Sequence, residues 1–167
     1  IVTIMAGPPP PGDFSAFATE LHARWKLPEA ATVVRRREDA AACRRLGAEY
    51  AHWELPDAVY RRDPVNDNVF YPTWEDVLAG IAPGERPLIS RLATRFRQLP
   101  PAQTVFSPLT VGHHVDHLLV RAAAEQAFGD ELLYYEDFPY AREGFGVMET
   151  LTQTDTNWTP VIFPLSE

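Results

Sequence analysis

The chain has one cysteine and two methionines, and no apolar run long enough to span a bilayer. A single cysteine excludes an intrachain disulfide and a cysteine-built zinc cage. Cys43 falls inside a helical pattern and reads as a small buried apolar residue. Positive charge is also in short supply: 15 Lys and Arg stand against 23 Asp and Glu, a net charge of −8. That balance argues against phosphate-backbone binding, so no nucleic-acid partner is expected. The local exceptions, Arg35-Arg36-Arg37 and Arg44-Arg45, read first as a solvated helix face. No signal-peptide pattern is present, and a cytoplasmic location follows by default. No Gly-x-Gly-x-x-Gly follows a strand pattern, which removes the dinucleotide-binding fingerprint.

What is present suits a single α/β domain of 167 residues, 46% hydrophobic and 23% charged. The chain opens directly on an apolar run, Ile1–Met5, and stops soon after another, Val161–Phe163. Domains rarely begin and end without a polar lead-in, so a piece of a longer chain is expected. Strands are predicted at 1–5, 50–55, 104–106, 132–135 and 161–163. Four consecutive prolines and two glycines make 6–13 a loop. Asp13 or Ser15 can cap a helix to Trp25, which Leu27-Pro28 ends. A second helix is expected over 29–46, with Ala40, Cys43 and Leu46 at helical spacing and Gly47 at its end. Residues 56–73 form a long irregular segment of the kind that carries function. Helices follow at 74–81, 87–99 and 118–128. Strands separated by helices predict a mostly parallel sheet with helices on both faces.

The chemistry is concentrated at residues 112–117, Gly-His-His-Val-Asp-His, which hold three of the five histidines. They lie where a strand hands over to a helix, and α/β sheets bind ligands at the carboxyl ends of their strands. His114 and His117 share a face if the helix starts near 114. His113 and His117 do so if it starts a residue earlier. Either pair suits a divalent metal. Asp116 between them can orient an imidazole or serve as a first-turn acid. The competing use is plain capping or solvation. A metal needs more ligands than this window gives, and Asp13, Asp57, Glu136 and Asp137 are the candidates. Tyr60, Arg61 and Arg62 on the long loop are candidate ligand contacts. Trp25, Trp53, Trp74 and Trp158 could stack on a ligand, although a tryptophan buries so much area that core use is the commoner fate.

Gly112 to His117, followed by a helix carrying Ala122-Ala123-Ala124, resembles the second signature of the LmbE-like, PIG-L-type N-deacetylases. Val34-Arg35-Arg36-Arg37-Glu38 with Leu46-Gly47, the segment Leu55-Pro56-Asp57, and Tyr134-Tyr135-Glu136-Asp137 resemble further parts of that family. The resemblance implies a Rossmann-like three-layer fold and zinc-dependent removal of an N-acetyl group from an N-acetylglucosamine-type conjugate, a small-molecule partner. It implies His117 as a zinc ligand (another divalent metal is also open). It puts His114 beside the tetrahedral intermediate, with Asp116 supporting the histidine pair. Arg36, Asp57 and Arg61 are the expected substrate contacts, with the register among Arg35, Arg36 and Arg37 open. The family's first signature, His-Pro-Asp-Asp, supplies two zinc ligands and the general base, and these 167 residues contain no His-Pro-Asp. By the family's order it would precede residue 1. The rival reading is a noncatalytic, metal-free binding module of the same fold. The sequence leaves oligomeric state open.

Overall fold

The computed structural model describes residues 1–26, 31–140, 142 and 158–161. Among these residues four short strands are interspersed with five α-helices. They are β1 (Val2–Thr3), α1 (Ala16–Trp25), α2 (Ala31–Arg45), β2 (Ala51–His52), α3 (Trp74–Ala79), α4 (Arg86–Phe96), β3 (Val105–Pro108), α5 (Val115–Phe128) and β4 (Leu132–Tyr135). The described strands pair in parallel, β1 with β2 and β3 with β4, each pair connected through helix. The α/β expectation therefore holds, with the described strands in two sheets of two rather than one continuous sheet. Beyond β1 and β2 the chains stay together, where Gly7 N–H donates to Leu55 O at 2.9 Å. A Cβ on Gly7 would sit 2.2 Å from Glu54 O, so this approach needs glycine.

α1 and α3 start where a side chain can satisfy their free N–H groups, whereas α4 has no side-chain cap. Ser15 Oγ accepts from Ala18 N–H at 3.1 Å, and Thr73 Oγ1 from Asp76 N–H at 3.2 Å. Lys26, at φ 56°, turns the chain out of α1. α2 buries Ala31, Ala40 and Cys43, as the spacing predicts for the last two. Leu46, one residue past the end of α2 at Arg45, is 74% exposed and does not join the buried face. The predicted helix break at Leu27-Pro28, and Ile162-Phe163 of the last predicted strand, lie outside the described residues. Val161 belongs to no strand.

The core is built mainly where α4 and α5 pack together and against the strands. Val115, Leu119 and Ala123 form the fully buried stripe of α5, meeting Leu88, Leu92, Ala93 and Phe96 of α4 in one cluster. Trp53 joins that cluster. Its ring lies 5.4 Å from that of Phe96, and the Arg95 guanidinium covers it at 3.6 Å. Fixing α5 in this way sets the position of its first turn, which carries the histidines.

Candidate functional site

The turn between β3 and α5 departs from ordinary backbone. Thr110, Gly112 and His113 have φ of 69°, 83° and 59°. Left-handed conformations disfavour residues with a Cβ, so the turn needs outside support. It has several anchors. Leu109 N–H donates to Tyr135 O at 2.8 Å, Val111 N–H to Asp137 Oδ2 at 3.0 Å, and Arg121 Nη1 to Leu109 O at 2.8 Å. The ring of Tyr140 closes over Gly112, within 2.5 Å of where a Cβ would be.

This turn decides which histidines act together. His113 is exposed and left-handed, ahead of the helix. His114 is the N-cap of α5, its Nδ1 accepting from Asp116 N–H at 3.2 Å. The paired rings are those of His114 and His117, with centroids 5.5 Å apart. An accepting Nδ1 puts the proton of neutral His114 on Nε2. Burial, the largest influence on it, lowers the His114 pKa and favours that neutral form. The edge-on ring of Trp74 lies 6.2 Å from His114, so among the four tryptophans it is Trp74 that reaches this site. Trp25 packs on His22 and Trp158 on Tyr134.

His117 Nδ1 meets Asp137 Oδ1 in close contact. Both Nδ1 atoms are thus held by protein, and neither Nε2 has a hydrogen-bond partner among the described residues. The carboxylate that orients a ring here is Asp137 and not Asp116. Asp116 accepts instead from Arg61 Nη1 at 2.6 Å through Oδ1 and from Ala58 N–H at 3.3 Å through Oδ2.

Arg61 is buried, and its guanidinium serves protein partners. Nε and Nη2 grip Glu85 at 2.6 and 3.0 Å, and Nη1 also reaches Pro56 O at 3.1 Å. Tyr71 OH donates to Glu85 Oε2 at 2.6 Å. Glu85 and Tyr71 carry no motif, and nothing in the sequence marks them. Asp57 caps the 3-10 turn Ala58–Tyr60, accepting from Val59 N–H at 3.2 Å. Burial, and then the charge of Asp116, push its pKa up to about 6.

Arg36 pairs with Glu54 at 3.0 Å and reaches Ala6 O at 3.4 Å. Arg35 lies 6.0 Å from the Trp25 ring. Both line a cavity of about 540 Å³ with Gly7, Asp57 and Tyr60, whereas Arg37 lines a separate one. A larger cavity of about 730 Å³ runs past Asp13, Tyr60, Arg61, Arg62, Glu85 and Arg91. Asp13 thus lies by this larger cavity, and Glu136 is exposed.

Among the described residues no three His, Cys, Asp or Glu side chains converge into a metal cage. What is present suits one ligand of such a cage: an imidazole with one nitrogen anchored on a buried carboxylate and the other open.

No family model matches the chain. It is 34% identical over 125 residues to 2'-N-acetylparomamine deacetylase of Streptomyces fradiae, covering 71% of this chain and 42% of that protein. Among solved structures it resembles a deacetylase–teicoplanin complex from teicoplanin biosynthesis, with TM-score 0.71 and 26% identity, covering 84% of this chain and 59% of that one. The zinc-inhibited form of teicoplanin deacetylase Orf2 superposes with TM-score 0.68 and 25% identity, over 84% of this chain and 57% of that one. The A40926 pseudoaglycone deacetylase Dbv21 does so with 0.59 and 28%, over 85% and 52%. The chain therefore spans about half the length of the proteins it matches, and its α/β, Rossmann-like fold is theirs.

Proposed function

We propose that this chain belongs to the LmbE-like, PIG-L-type deacetylases and that it carries the second-signature half of a zinc-dependent hydrolase that removes an N-acetyl group from an amino sugar within a larger glycoside. The observation that carries this reading is the His114–His117 pair, each ring tied through Nδ1 and each Nε2 without a hydrogen-bond partner among the described residues.

Bound zinc would supply Lewis-acid polarisation of the acetamide carbonyl. His117 Nε2 would be one of its ligands. On this proposal the remaining ligands and the general base come from the His-Pro-Asp-Asp signature in the part of the protein outside these residues. His114 Nε2–H donates a hydrogen bond to the acetamide oxygen as the carbon becomes tetrahedral and negative charge grows there. It can do so as a neutral imidazole, since the helix cap already fixes its tautomer. Asp116 acts at one remove, anchoring the first turn of α5 to Arg61 and Ala58. Arg61 belongs with it as a positioning residue. Asp57 and Arg35 or Arg36 face the cavity beside Tyr60 and are our candidates for sugar hydroxyls.

The substrate class rests on the relatives, one named for 2'-N-acetylparomamine and others for teicoplanin and a pseudoaglycone. Among the described residues no helix is long and apolar enough to cross a membrane. A cytoplasmic enzyme acting on a small molecule is the reading we adopt.

The test is a pair of variants in the full-length protein with an N-acetylglucosaminyl glycoside. His117→Ala should lose zinc and deacetylation together. His114→Ala should keep zinc while kcat falls about 10²–10³-fold. Zinc content and turnover both unchanged in His117→Ala would overturn the proposal.

A further inference from the structure

We propose that Asp137 is a positioning residue for His117, holding its ring in the Nδ1–H tautomer so that the Nε2 lone pair is kept for the metal. This rests on the metal-dependent reading above.

Asp137 is 1% exposed, and burying a carboxylate so completely is costly unless both oxygens are satisfied. One oxygen, Oδ2, accepts from Val111 N–H at 3.0 Å. The other, Oδ1, meets His117 Nδ1, and among the described residues no Lys or Arg forms an ion pair with Asp137. An ionised carboxylate only accepts hydrogen bonds, so Nδ1 must be the donor. A neutral ring with its proton on Nδ1 carries its lone pair on Nε2.

His114 is set the other way. Its Nδ1 accepts from the helix N-terminus, so its proton sits on Nε2. Two rings 5.5 Å apart therefore hold opposite tautomers, one offering a lone pair and the other an N–H. The metal ligand and the oxyanion donor are distinguished by what their Nδ1 atoms touch. The two anchors come from different elements. The helix cap fixes His114 from within α5, whereas Asp137 reaches His117 from just beyond β4. Asp116 does not take the second job: its oxygens are directed to Arg61 and Ala58.

Asp137→Asn separates this role from a merely structural one. The amide oxygen can still accept from Val111 N–H, while its NH2 faces His117 Nδ1 and favours the Nε2–H tautomer. Imidazole ¹⁵N shifts of the metal-free full-length protein at mildly alkaline pH should show His117 protonated on Nδ1 in the parent and shifted toward Nε2–H in Asp137→Asn. Zinc affinity, measured by competition with a chromophoric chelator, should fall about 10–100-fold with an unchanged circular dichroism spectrum.

An Nε2–H tautomer in the parent, or zinc bound as tightly by Asp137→Asn as by the parent, overturns the proposal. If the variant fails to fold, the parent's shifts alone decide. His117→Ala is the control. If it loses zinc while Asp137→Asn keeps parental affinity, Asp137 is not the positioning residue and the metal reading stands. If His117→Ala binds zinc as the parent does, the metal reading fails and takes this proposal with it.

Discussion

Gly112 meets two separate constraints at once. Its φ of 83° is one that L-residues avoid, and the Tyr140 ring occupies the space a side chain would need. Gly47 offers a control, since it has φ 65° but nothing within 4 Å of a Cβ. Gly47→Ala should cost about 1–2 kcal/mol from backbone strain alone. Gly112→Ala should cost that and a further ~1–3 kcal/mol for the displaced ring. Urea unfolding of the two variants measures the difference, and equal costs would mean that Tyr140 does not press on the turn. Gly112→Ala should also lower turnover beyond its effect on stability, because the displaced turn carries the His114 cap. At this scale the sequence was informative where residues are contiguous. The spacing and the resemblance single out His114 and His117, whose rings the fold brings to 5.5 Å, but not that Asp116 serves Arg61 and Ala58 instead of a histidine. Asp137 lies 20 residues from His117. It could be weighed only as a metal ligand, because a contact made across two elements leaves no local pattern.

Between elements, the Arg61 cluster does the joining. Its guanidinium ties Glu85, at the end of the 3-10 turn before α4, to Asp116 in the first turn of α5, and its own segment follows the Ala58–Tyr60 turn. Removing one member of such a buried cluster leaves charge without a counterion. Arg61→Met strands Glu85 and Asp116 together and should destabilise by about 3–5 kcal/mol. Arg61→Lys should recover only part of this, since an ammonium cannot grip Glu85 with two parallel N–H groups. Chemical denaturation of the two variants checks the order, and a lysine variant as stable as the parent would refute the two-pronged geometry. An exposed arginine on a polar loop and a buried one look the same in sequence, which is why Arg61 reads there as a sugar contact. The helices were more legible. α1 is marked by its cap, and α4 and α5 by their helical patterns, although α4 ends at Phe96 rather than 99 and α5 starts at Val115 rather than 118. The end of α2 is set one residue late at Leu46, whose N–H still donates to Ala42 O at 3.1 Å although the helix ends at Arg45.

Across the whole molecule, parallel pairing was readable from the alternation of strands with helices. The split into two described sheets was not, because it depends on which strand edges meet in space. The global property most open to test is the response of stability to pH, and Asp57 gives it a definite sign. Its pKa rises from 3.8 to about 6 on folding, mainly through burial and then through repulsion from Asp116. The folded protein therefore holds this proton more tightly than the unfolded chain does. Asp57 contributes its full share of stability below about pH 4. That share is lost as pH rises toward about 6, and above that a fixed penalty remains. Asp57→Asn removes the ionisation while an amide oxygen can still cap Val59 N–H. Relative to the parent, the variant should be more stable at pH 7.5 by on the order of 1–3 kcal/mol, at about 1.4 kcal/mol per pKa unit. At pH 4 the two should be nearly equal. Thermal unfolding of both proteins across that range follows the difference directly, and a gap that widens toward acid would mean that Asp57 is held ionised in the fold.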